Sequence, residues 1–307
     1  MKKIYYYSGA VFLVIILFLV GFILLLPGDG ISSKNIALIN IDGTITSQTS
    51  ETGLFSEFEP SVNDYIEWID DAEKDSNIKA IIIKINSPGG EVIASEKLSR
   101  KIKEASEEKV VVAYIETMGT SAAYQAASST DYILAEKQAL VGNIGVRMEI
   151  LHYYGLMEKL GINVTTIKSG TYKDIMSPTR PMTEEEQKMI ESIVDESYYE
   201  FVSWVAENRN MTINETLEVA DGKIYSGIQA EKVGLVDMTG TEGDAIDIAS
   251  KMANITNPEV YVYGGSSSVG IFGMTFNDAL CSFGYGLGRG LSQSNMEESF
   301  KSYQIYY

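Results

Sequence analysis

The 307-residue chain has very few of the side chains that build metal sites and disulfides: one histidine, His152, and one cysteine, Cys281. A single cysteine cannot form a disulfide within the chain or a cysteine-rich zinc site, and the lone histidine argues against a histidine-based one. We therefore predict no metal and no cofactor. We interpret Cys281 as a small apolar residue rather than a nucleophile.

Positive charge is also scarce, with 24 Lys and Arg against 42 Asp and Glu and a net charge of −18. So acidic a protein repels the phosphate backbone, which excludes nucleic acid as a partner. The hydrophobic fraction of 45% is ordinary for a folded protein with a sizeable core.

Residues 10–26, AVFLVIILFLVGFILLL, contain no charged or polar side chain. Seventeen helical residues span roughly 26 Å, close to the thickness of the hydrocarbon layer. Lys2 and Lys3 precede this segment, and the next basic residue is Lys34. The bias of basic residues predicts a single-pass anchor in the cell membrane, with a cytoplasmic N-terminus and an extracytoplasmic body. The alternative is a cleaved signal peptide with a mature N-terminus near Ile31.

The next segments alternate between apolar runs typical of buried strands and amphipathic patterns typical of helices. Residues 36–45, 78–86 and 109–116 are predicted strands, and residues 61–75 and 91–108 are predicted helices. This order favours an α/β sheet that is covered on both faces.

Later segments are predicted to include strands within 140–150 and 163–170. A long helix is predicted after the capping box formed by Thr183 and Glu186, and a further helix near 242–253. The predicted division of the chain is a cytoplasmic N-terminus (1–9), a transmembrane anchor (10–26), a linker (27–35), a main domain (36–256) and a Gly/Ser/aromatic-rich tail (257–307).

Two turns in the predicted sheet combine small residues with hydroxyls. INSPGG, residues 85–90, and MGTSAAY, residues 118–124, each follow a strand and precede a helix. Turns at the carboxyl ends of neighbouring strands face one crevice, where α/β proteins place their active sites. The hydroxyl of Ser121 is either a helix cap or a nucleophile, and Thr120 is its local competitor. The glycine turn is suited to supply N–H donors to an oxyanion.

A base for such a hydroxyl is available in IKSGTYKDIMSPTRP, residues 167–181. A lysine that is buried beside a serine can lose its proton, because burial disfavours the charged form. By position, Lys168 and Lys173 are both candidates. An aspartate, Asp174, follows Lys173, and we expect its carboxylate to point away from the amine.

The combination of INSPGG, MGTSAAY, GNIGV, IKSGTYKDIMSPTR and DGKIYSGIQAEKVGLVD resembles the signal peptide peptidases of the SppA type, over residues 36–255. The resemblance implies an α/β fold of the Clp-protease/crotonase type, a repeated β-β-α core, here with one N-terminal transmembrane helix. It implies Ser121 as nucleophile and Lys173 as general base. It also implies an oxyanion hole formed by Gly89 or Gly90 with the N–H of Ala122.

The resemblance further implies that short members of this family form homo-oligomeric rings, in which serine and lysine come from neighbouring subunits. One departure from the family pattern is that Ala122 and Ala123 follow the serine where two glycines are typical. The alanine N–H remains available, but the added methyl groups narrow the cleft. His152 is the rival base, because the related Clp-type proteases use a histidine downstream of the serine.

The sequence thus predicts a membrane-anchored serine endopeptidase with a Ser/Lys dyad, which degrades apolar peptides such as cleaved signal peptides. Two alternatives stay open. One is a related anchored protease that cuts membrane-scaffold proteins, and the other is an inactive crotonase-like binding or scaffold protein.

Overall fold

The computed structural model describes residues 34–48 and 60–264. The predicted anchor at 10–26 and most of the predicted tail lie outside these residues. Among the helices of the described part, none combines the length and the apolar character that crossing a membrane requires.

Eight strands and eight helices make up the described part of the chain. The strands are β1 (Ile36–Asp42), β2 (Ala80–Ser87), β3 (Val110–Thr120), β4 (Tyr132–Ala135), β5 (Leu140–Gly142), β6 (Ile224–Ser226), β7 (Met238–Thr239) and β8 (Val260–Tyr263). The helices are α1 (Val62–Lys74), α2 (Val92–Glu108), α3 (Ala122–Ser128), α4 (Tyr154–Lys159), α5 (Glu184–Asn208), α6 (Ile213–Val219), α7 (Gly227–Lys232) and α8 (Glu242–Met252).

The strands form one sheet in the order β6-β5-β3-β2-β1-β8, with β4 also paired to β3 and β7 paired to β4. All pairings are parallel except that between β5 and β6. The long strand β3 pairs with β4 near its start and with β5 at its end. Its last residues therefore lie between the end of β2 and strand β5, at the carboxyl edge of the sheet.

Both faces of the sheet are covered, as the apolar strands predict. One face packs against α1, α2, α3 and the C-terminal half of α5, and this cluster contains most of the buried hydrophobic residues. The opposite face packs against α8 through Ala245 and Ala249. Successive residues of β1, such as Leu38 and Ile39, belong to the two different clusters because side chains alternate across a strand. The early β-α-β-α-β order is confirmed.

The predicted helix starts are confirmed where a cap was read from the sequence. Ser61 precedes α1, and its side chain and that of Asp64 form a capping box. Thr183 precedes α5, and its hydroxyl accepts a hydrogen bond from the N–H of Glu186. Each cap satisfies backbone donors that a helix start leaves without partners.

The two later strand predictions are wrong for most of their length. Only Leu140–Gly142 is a strand, while residues 143–153 and 162–168 have no regular structure. Ile144 is still buried, but apolar residues farther along are exposed, with Met148 at 45% and Ile167 at 96% of full exposure. Alternating apolar residues fit a strand, but the described part of the chain offers these segments no neighbouring strand with which to pair. We call residues 148–167 the apolar arm.

The first part of the predicted tail also has regular structure. Val260–Tyr263 forms β8, which pairs in parallel with Ile36–Ile39 of β1. Residues that we assigned to the tail therefore extend the sheet at its edge.

Candidate active site

Ser121 lies at the turn between β3 and α3, in a backbone conformation that few residues adopt. Its φ of 54° and ψ of −125° lie outside the regions open to most L-amino acids. Its N–H donates to the carbonyl of Gly142 at 2.8 Å, and its own carbonyl accepts from Tyr124 and Gln125. The sheet and the first turn of α3 thus hold this strained residue in place.

The Ser121 hydroxyl makes no capping bond to α3 and has no other hydrogen-bond partner in the described part of the chain. The interpretation of this residue as a helix cap is therefore wrong. The side chain is half-buried and lines the cleft described below, so its oxygen is open to a ligand. The hydroxyls of Ser128, Ser129 and Thr130 are buried and donate to backbone carbonyls at the far end of α3.

The glycine turn packs directly against the serine turn. Gly89 has a φ of 103°, and a Cβ atom there would lie 2.8 Å from the N of Ala122 and 2.8 Å from the Cβ of Ser121. Only a residue without a side chain allows this approach. Thr120 joins the turns as well, because its hydroxyl donates to the carbonyl of Pro88 at 3.1 Å. Thr120 is thus engaged in structure, unlike Ser121.

Some backbone N–H groups of the two turns have a hydrogen-bond acceptor and others do not. The N–H of Gly89 donates to the hydroxyl of Ser87 at 3.1 Å. The carbonyl of Gly89 accepts from Ile45, and the N–H of Glu91 donates to Ile45, which fixes the turn on both sides of Gly90. Among the described residues, the N–H groups of Gly90 and Ala122 have no acceptor. These two donors remain available to a bound oxygen.

A cleft of about 1000 Å³ opens in front of these groups. Its walls include the apolar side chains of Val92, Ile93, Phe201 and Trp204, from α2 and α5. The segment that follows β5 closes another side through Asn143, whose N–H and side-chain amide donate to the carbonyls of Lys223 and Gly222 at 2.7 Å each. The cleft thus has an apolar wall formed by α2 and α5 among polar lining residues, and Ser121 also lines it.

Lys173 is not among the residues that line this cleft. It is exposed, and its amine has no hydrogen-bond or ion-pair partner in the described part of the chain. The fold of a single chain therefore does not bring the two predicted catalytic side chains into one cleft. We call residues 168–181, which carry it, the lysine loop.

Asp174 points away from Lys173, as expected. Its carboxylate binds the amine of Lys168 and the guanidinium of Arg180. These two cations hold the pKa of the Asp174 carboxyl well below its usual range, with the hydrogen bond from Arg180 the larger cause. Lys168 is occupied by this ion pair, which leaves Lys173 as the unpaired amine of the loop.

His152 is exposed on the apolar arm, with its ring edge-on to that of Tyr154 at 5.9 Å between centroids. It does not line the cleft that contains Ser121. No group of three His, Cys, Asp or Glu side chains in the described ranges is arranged to hold a metal ion.

Sequence reasoning missed three contributors. Ser87 takes up the N–H of Gly89, Asn143 shapes the cleft wall, and Arg180 joins the lysine loop to the first turn of α5. A signal for Arg180 was present, because it stands six residues after Asp174 and six before the capping glutamate Glu186.

Known proteins resemble the chain over half to nearly all of its length. The sequence profile described as Peptidase family S49 matches residues 103–256. The putative protease MJ0651 of Methanocaldococcus jannaschii is 47% identical over 300 residues, which are 95% of both chains. The putative signal peptide peptidase SppA of Enterococcus faecium is 34% identical over 76% of this chain and 68% of its own.

A solved structure of the 1510-N membrane-bound stomatin-specific protease, a mutant in complex with a substrate peptide, has a TM-score of 0.51 at 16% identity. It covers 82% of this chain and 98% of its own. At this identity it supports a shared fold, of the Clp-protease/crotonase type, and nothing about activity. Together with the two sequence relatives, the profile match shows that the chain belongs to peptidase family S49, the serine peptidases of the Ser/Lys type.

Proposed function

We propose that this chain is a membrane-anchored serine endopeptidase in which Ser121 is the nucleophile and Lys173 the general base. The observation that carries the proposal is the free hydroxyl of Ser121 beside the free N–H groups of Gly90 and Ala122, in one cleft with an apolar wall. A serine peptidase needs an unengaged nucleophile and donors aimed at the oxygen of the tetrahedral intermediate.

In this mechanism, Ser121 Oγ attacks the scissile carbonyl carbon while its proton passes to the neutral amine of Lys173. The carbonyl oxygen becomes an oxyanion and accepts hydrogen bonds from the two free N–H groups. Collapse of the intermediate breaks the C–N bond, and Lys173 returns the proton to the leaving amine. Water then attacks the acyl-enzyme while Lys173 takes its proton. The ester C–O bond breaks, the acid product leaves, and Lys173 returns the proton to Ser121 Oγ.

For the oxyanion hole, the hydrogen bonds favour Gly90 and Ala122 over Gly89. The N–H of Gly89 already donates to Ser87, and using it for substrate would leave the Ser87 hydroxyl without its partner. We infer that Gly89 allows the close approach of the two turns, while Gly90 and Ala122 donate.

The apolar wall of the cleft supports apolar peptides as substrates, since burial of such side chains is the main favourable term in binding them. Signal peptides left in the membrane after processing have this character. Cleavage of a random peptide library, followed by sequencing of the products, tests this choice. Selective cleavage of membrane-scaffold proteins, with apolar peptides left intact, would contradict it.

The position of Lys173 supports a site shared between two copies of the chain. Its free amine lies on an exposed loop outside the cleft. The adjoining apolar arm exposes an unusual set of large side chains: Met148, Leu151, Tyr153, Tyr154, Leu156, Leu160, Ile162, Val164 and Ile167. A contact with a second copy would cover this surface and deliver the lysine. We propose a ring in which each Lys173 serves the Ser121 of a neighbour.

Anchoring through residues 10–26 places this ring on the outer face of the membrane, with the N-terminus in the cytoplasm. Peptide mapping of membrane-extracted protein tests the anchor. An intact N-terminal peptide is expected, and a mature N-terminus near Ile31 would contradict the anchor.

Labelling with a fluorophosphonate tests the nucleophile, because only a reactive serine is modified. We expect the wild-type protein to be labelled and to cleave an apolar peptide, and we expect Ser121→Ala to do neither while remaining folded. Labelling of the Ser121→Ala protein at another residue, with retained cleavage, would move the nucleophile.

Mixing two inactive variants tests the shared site. In a co-assembled ring, a Lys173→Ala subunit still offers Ser121 to the lysine of a Ser121→Ala neighbour. Random equal mixing should restore about a quarter of the wild-type sites. A dyad within one chain predicts no recovery, so an inactive mixture that is shown to contain mixed rings would overturn the shared site.

A further inference from the structure

We propose that Arg180 is a positioning residue of the peptidase, which fixes the lysine loop to helix α5 and thereby sets where Lys173 can reach. The proposal rests on the proposed role of Lys173 as the base. It assigns a function to a side chain that touches neither the cleft nor Ser121.

All the donor groups of Arg180 are engaged, and they connect two parts of the chain. Toward the loop, Nε donates to Oδ2 of Asp174 at 2.9 Å, and Nη2 donates to Oδ1 at 2.8 Å and to the backbone carbonyl at 3.0 Å. Toward α5, Nη1 and Nη2 donate to the two carboxylate oxygens of Glu186 at 2.8 and 2.5 Å. Nη1 also donates to the carbonyl of Pro181. We call Asp174, Arg180 and Glu186 the arginine clamp.

Residue 174 is the next residue after Lys173, so the clamp acts one peptide bond from the proposed base. Because Arg180 binds both the carboxylate and the backbone carbonyl of Asp174, it fixes the position and the orientation of that residue. Two hydrogen bonds to one carboxylate also define an angle, which a single contact does not.

The other end of the clamp is rigid. Glu186 is only 2% exposed, and its carboxylate also accepts the N–H of Thr183 at 2.9 Å in the capping box of α5. The hydrogen bond from Arg180 lowers the pKa of the Glu186 carboxyl to about 2. The clamp therefore stays charged over the pH range of a peptidase assay and would be lost only as the pH falls toward that value. Farther along, α5 enters the core through Phe201, Val202 and Val205.

The lysine loop has few other links to the rest of the chain, one of which is the hydrogen bond from the N–H of Tyr153 to the carbonyl of Pro178 at 3.0 Å. The N–H groups of Lys173, Ile175 and Ser177 donate to carbonyls of residues 170–174, within the loop itself. The hydroxyl of Tyr172 interacts with Glu185, which is on the first turn of α5 and exposed to solvent. Without the clamp, these local turns would leave Lys173 free to move relative to α5.

The clamp also engages the one carboxylate adjacent to the base. Asp174 is neutralised by Arg180 on one side and by Lys168 on the other, and Lys173 forms no ion pair among the described residues. A freed Asp174 carboxylate would attract the amine of Lys173 and compete with Ser121 for it. Arg180 thus keeps the base placed and unpaired.

Arg180→Lys tests the proposal, because lysine keeps the charge but cannot form the planar double contact. We expect kcat to fall about 10- to 100-fold, the cost of misplacing a reacting group by about 1 Å. KM should stay within about twofold, because the cleft that binds peptide is untouched. Asp174→Asn, which keeps the shape of the side chain but loses its charge, should lower kcat by a smaller factor.

Arg209→Lys is the matched control. Arg209 makes the same double contact, to Asp237 at 2.7 and 3.0 Å, and lies outside the cleft and the lysine loop. We expect it to lower the melting temperature without changing kcat. An equal loss of kcat in Arg209→Lys would assign the effect to general destabilisation and overturn the proposal.

Lys173→Ala separates this proposal from the one on which it rests. If Lys173→Ala is inactive while Arg180→Lys and Asp174→Asn both keep wild-type kcat, the positioning role of Arg180 is wrong and the assignment of Lys173 as the base stands. If Lys173→Ala keeps wild-type kcat, the base assignment fails and the positioning role fails with it. In the double variant Lys173→Ala/Arg180→Lys, we expect no loss beyond that of Lys173→Ala alone.

Discussion

Ser121 and Lys173 stand in opposite structural settings. Ser121 is held between a buried strand and a buried helix, and the glycine turn packs against it at van der Waals distance. Lys173 is exposed, on a loop that Arg180 links to the first turn of α5. A single chain thus brings together the proposed nucleophile and the proposed oxyanion donors but leaves the proposed base at the surface. In the proposed shared site, assembly supplies what the fold of one chain does not.

The largest expected effect concerns the exposed side of this comparison. Lys173→Arg should lower kcat by at least about 10³-fold, because a guanidinium cannot be deprotonated usefully and cannot take the serine proton. Hydrolysis of an apolar peptide measures it. His152→Ala should stay within about twofold of wild type. Substantial activity in Lys173→Arg together with loss in His152→Ala would move the base to His152.

Activity should be nearly as sensitive to one methyl group added at the glycine turn that packs against Ser121. Gly89→Ala places a Cβ atom 2.8 Å from the N of Ala122, so the two turns must separate and the proposed oxyanion donors move. We expect a loss of about 10²- to 10³-fold in kcat, similar to the removal of an oxyanion donor.

Gly234→Ala is the control for backbone strain, because Gly234 also has a positive φ, 79°, but has nothing within 4 Å of the added atom. It should lose stability and keep wild-type kcat. If both variants kept wild-type kcat, the close packing of the two turns would not be needed for activity.

An intermediate effect is expected from the apolar arm. Ile167→Glu places a charge at a side chain that is 96% exposed in one chain, so it should not alter folding. If the arm meets a second copy, the buried carboxylate should weaken assembly by at least about tenfold. Sedimentation velocity measures this, with Leu217→Glu, 40% exposed on α6, as the control. Unchanged assembly in Ile167→Glu would exclude this residue from the contact.

The smallest effect on activity is expected at Thr120. Thr120→Ala removes the hydrogen bond to Pro88 and should reduce the free energy of unfolding by about 1 kcal/mol. Because Ser121 and the free N–H groups keep their places, most of the activity should remain. Denaturant unfolding and peptide hydrolysis measure the two quantities. An inactive Thr120→Ala beside an active Ser121→Ala would move the nucleophile to Thr120.

The sequence predicted the parts of this structure that depend on local or strictly periodic signals. Apolar runs indicated β1 to β3, and Ser61 and Thr183 marked the starts of two helices. The turns around Gly89 and Ser121 could be placed together because both follow parallel strands.

What could not be predicted depends on long-range partners. The patterns in residues 140–150 and 163–170 fit strands, yet beyond Gly142 no strand of the described part pairs with them. The use of the Gly89 N–H by Ser87, and the role of Arg180 between two carboxylates, follow from three-dimensional contacts that no local pattern encodes. Likewise, the spacing of 52 residues between Ser121 and Lys173 does not indicate whether the two side chains meet within one chain.

The backbone conformation of Ser121 lowers the stability of the folded chain. A φ of 54° with a ψ of −125° suits glycine, and holding any other residue there costs about 1–3 kcal/mol. In the proposed mechanism, Ser121 supplies its hydroxyl at the expense of the stability of the folded state, a conflict found where activity and stability oppose each other. Ser121→Gly should melt at a higher temperature than Ser121→Ala, although both lack the nucleophile, and equal melting temperatures would remove the conflict. An inactive form of this enzyme with glycine at that position would be the more durable protein.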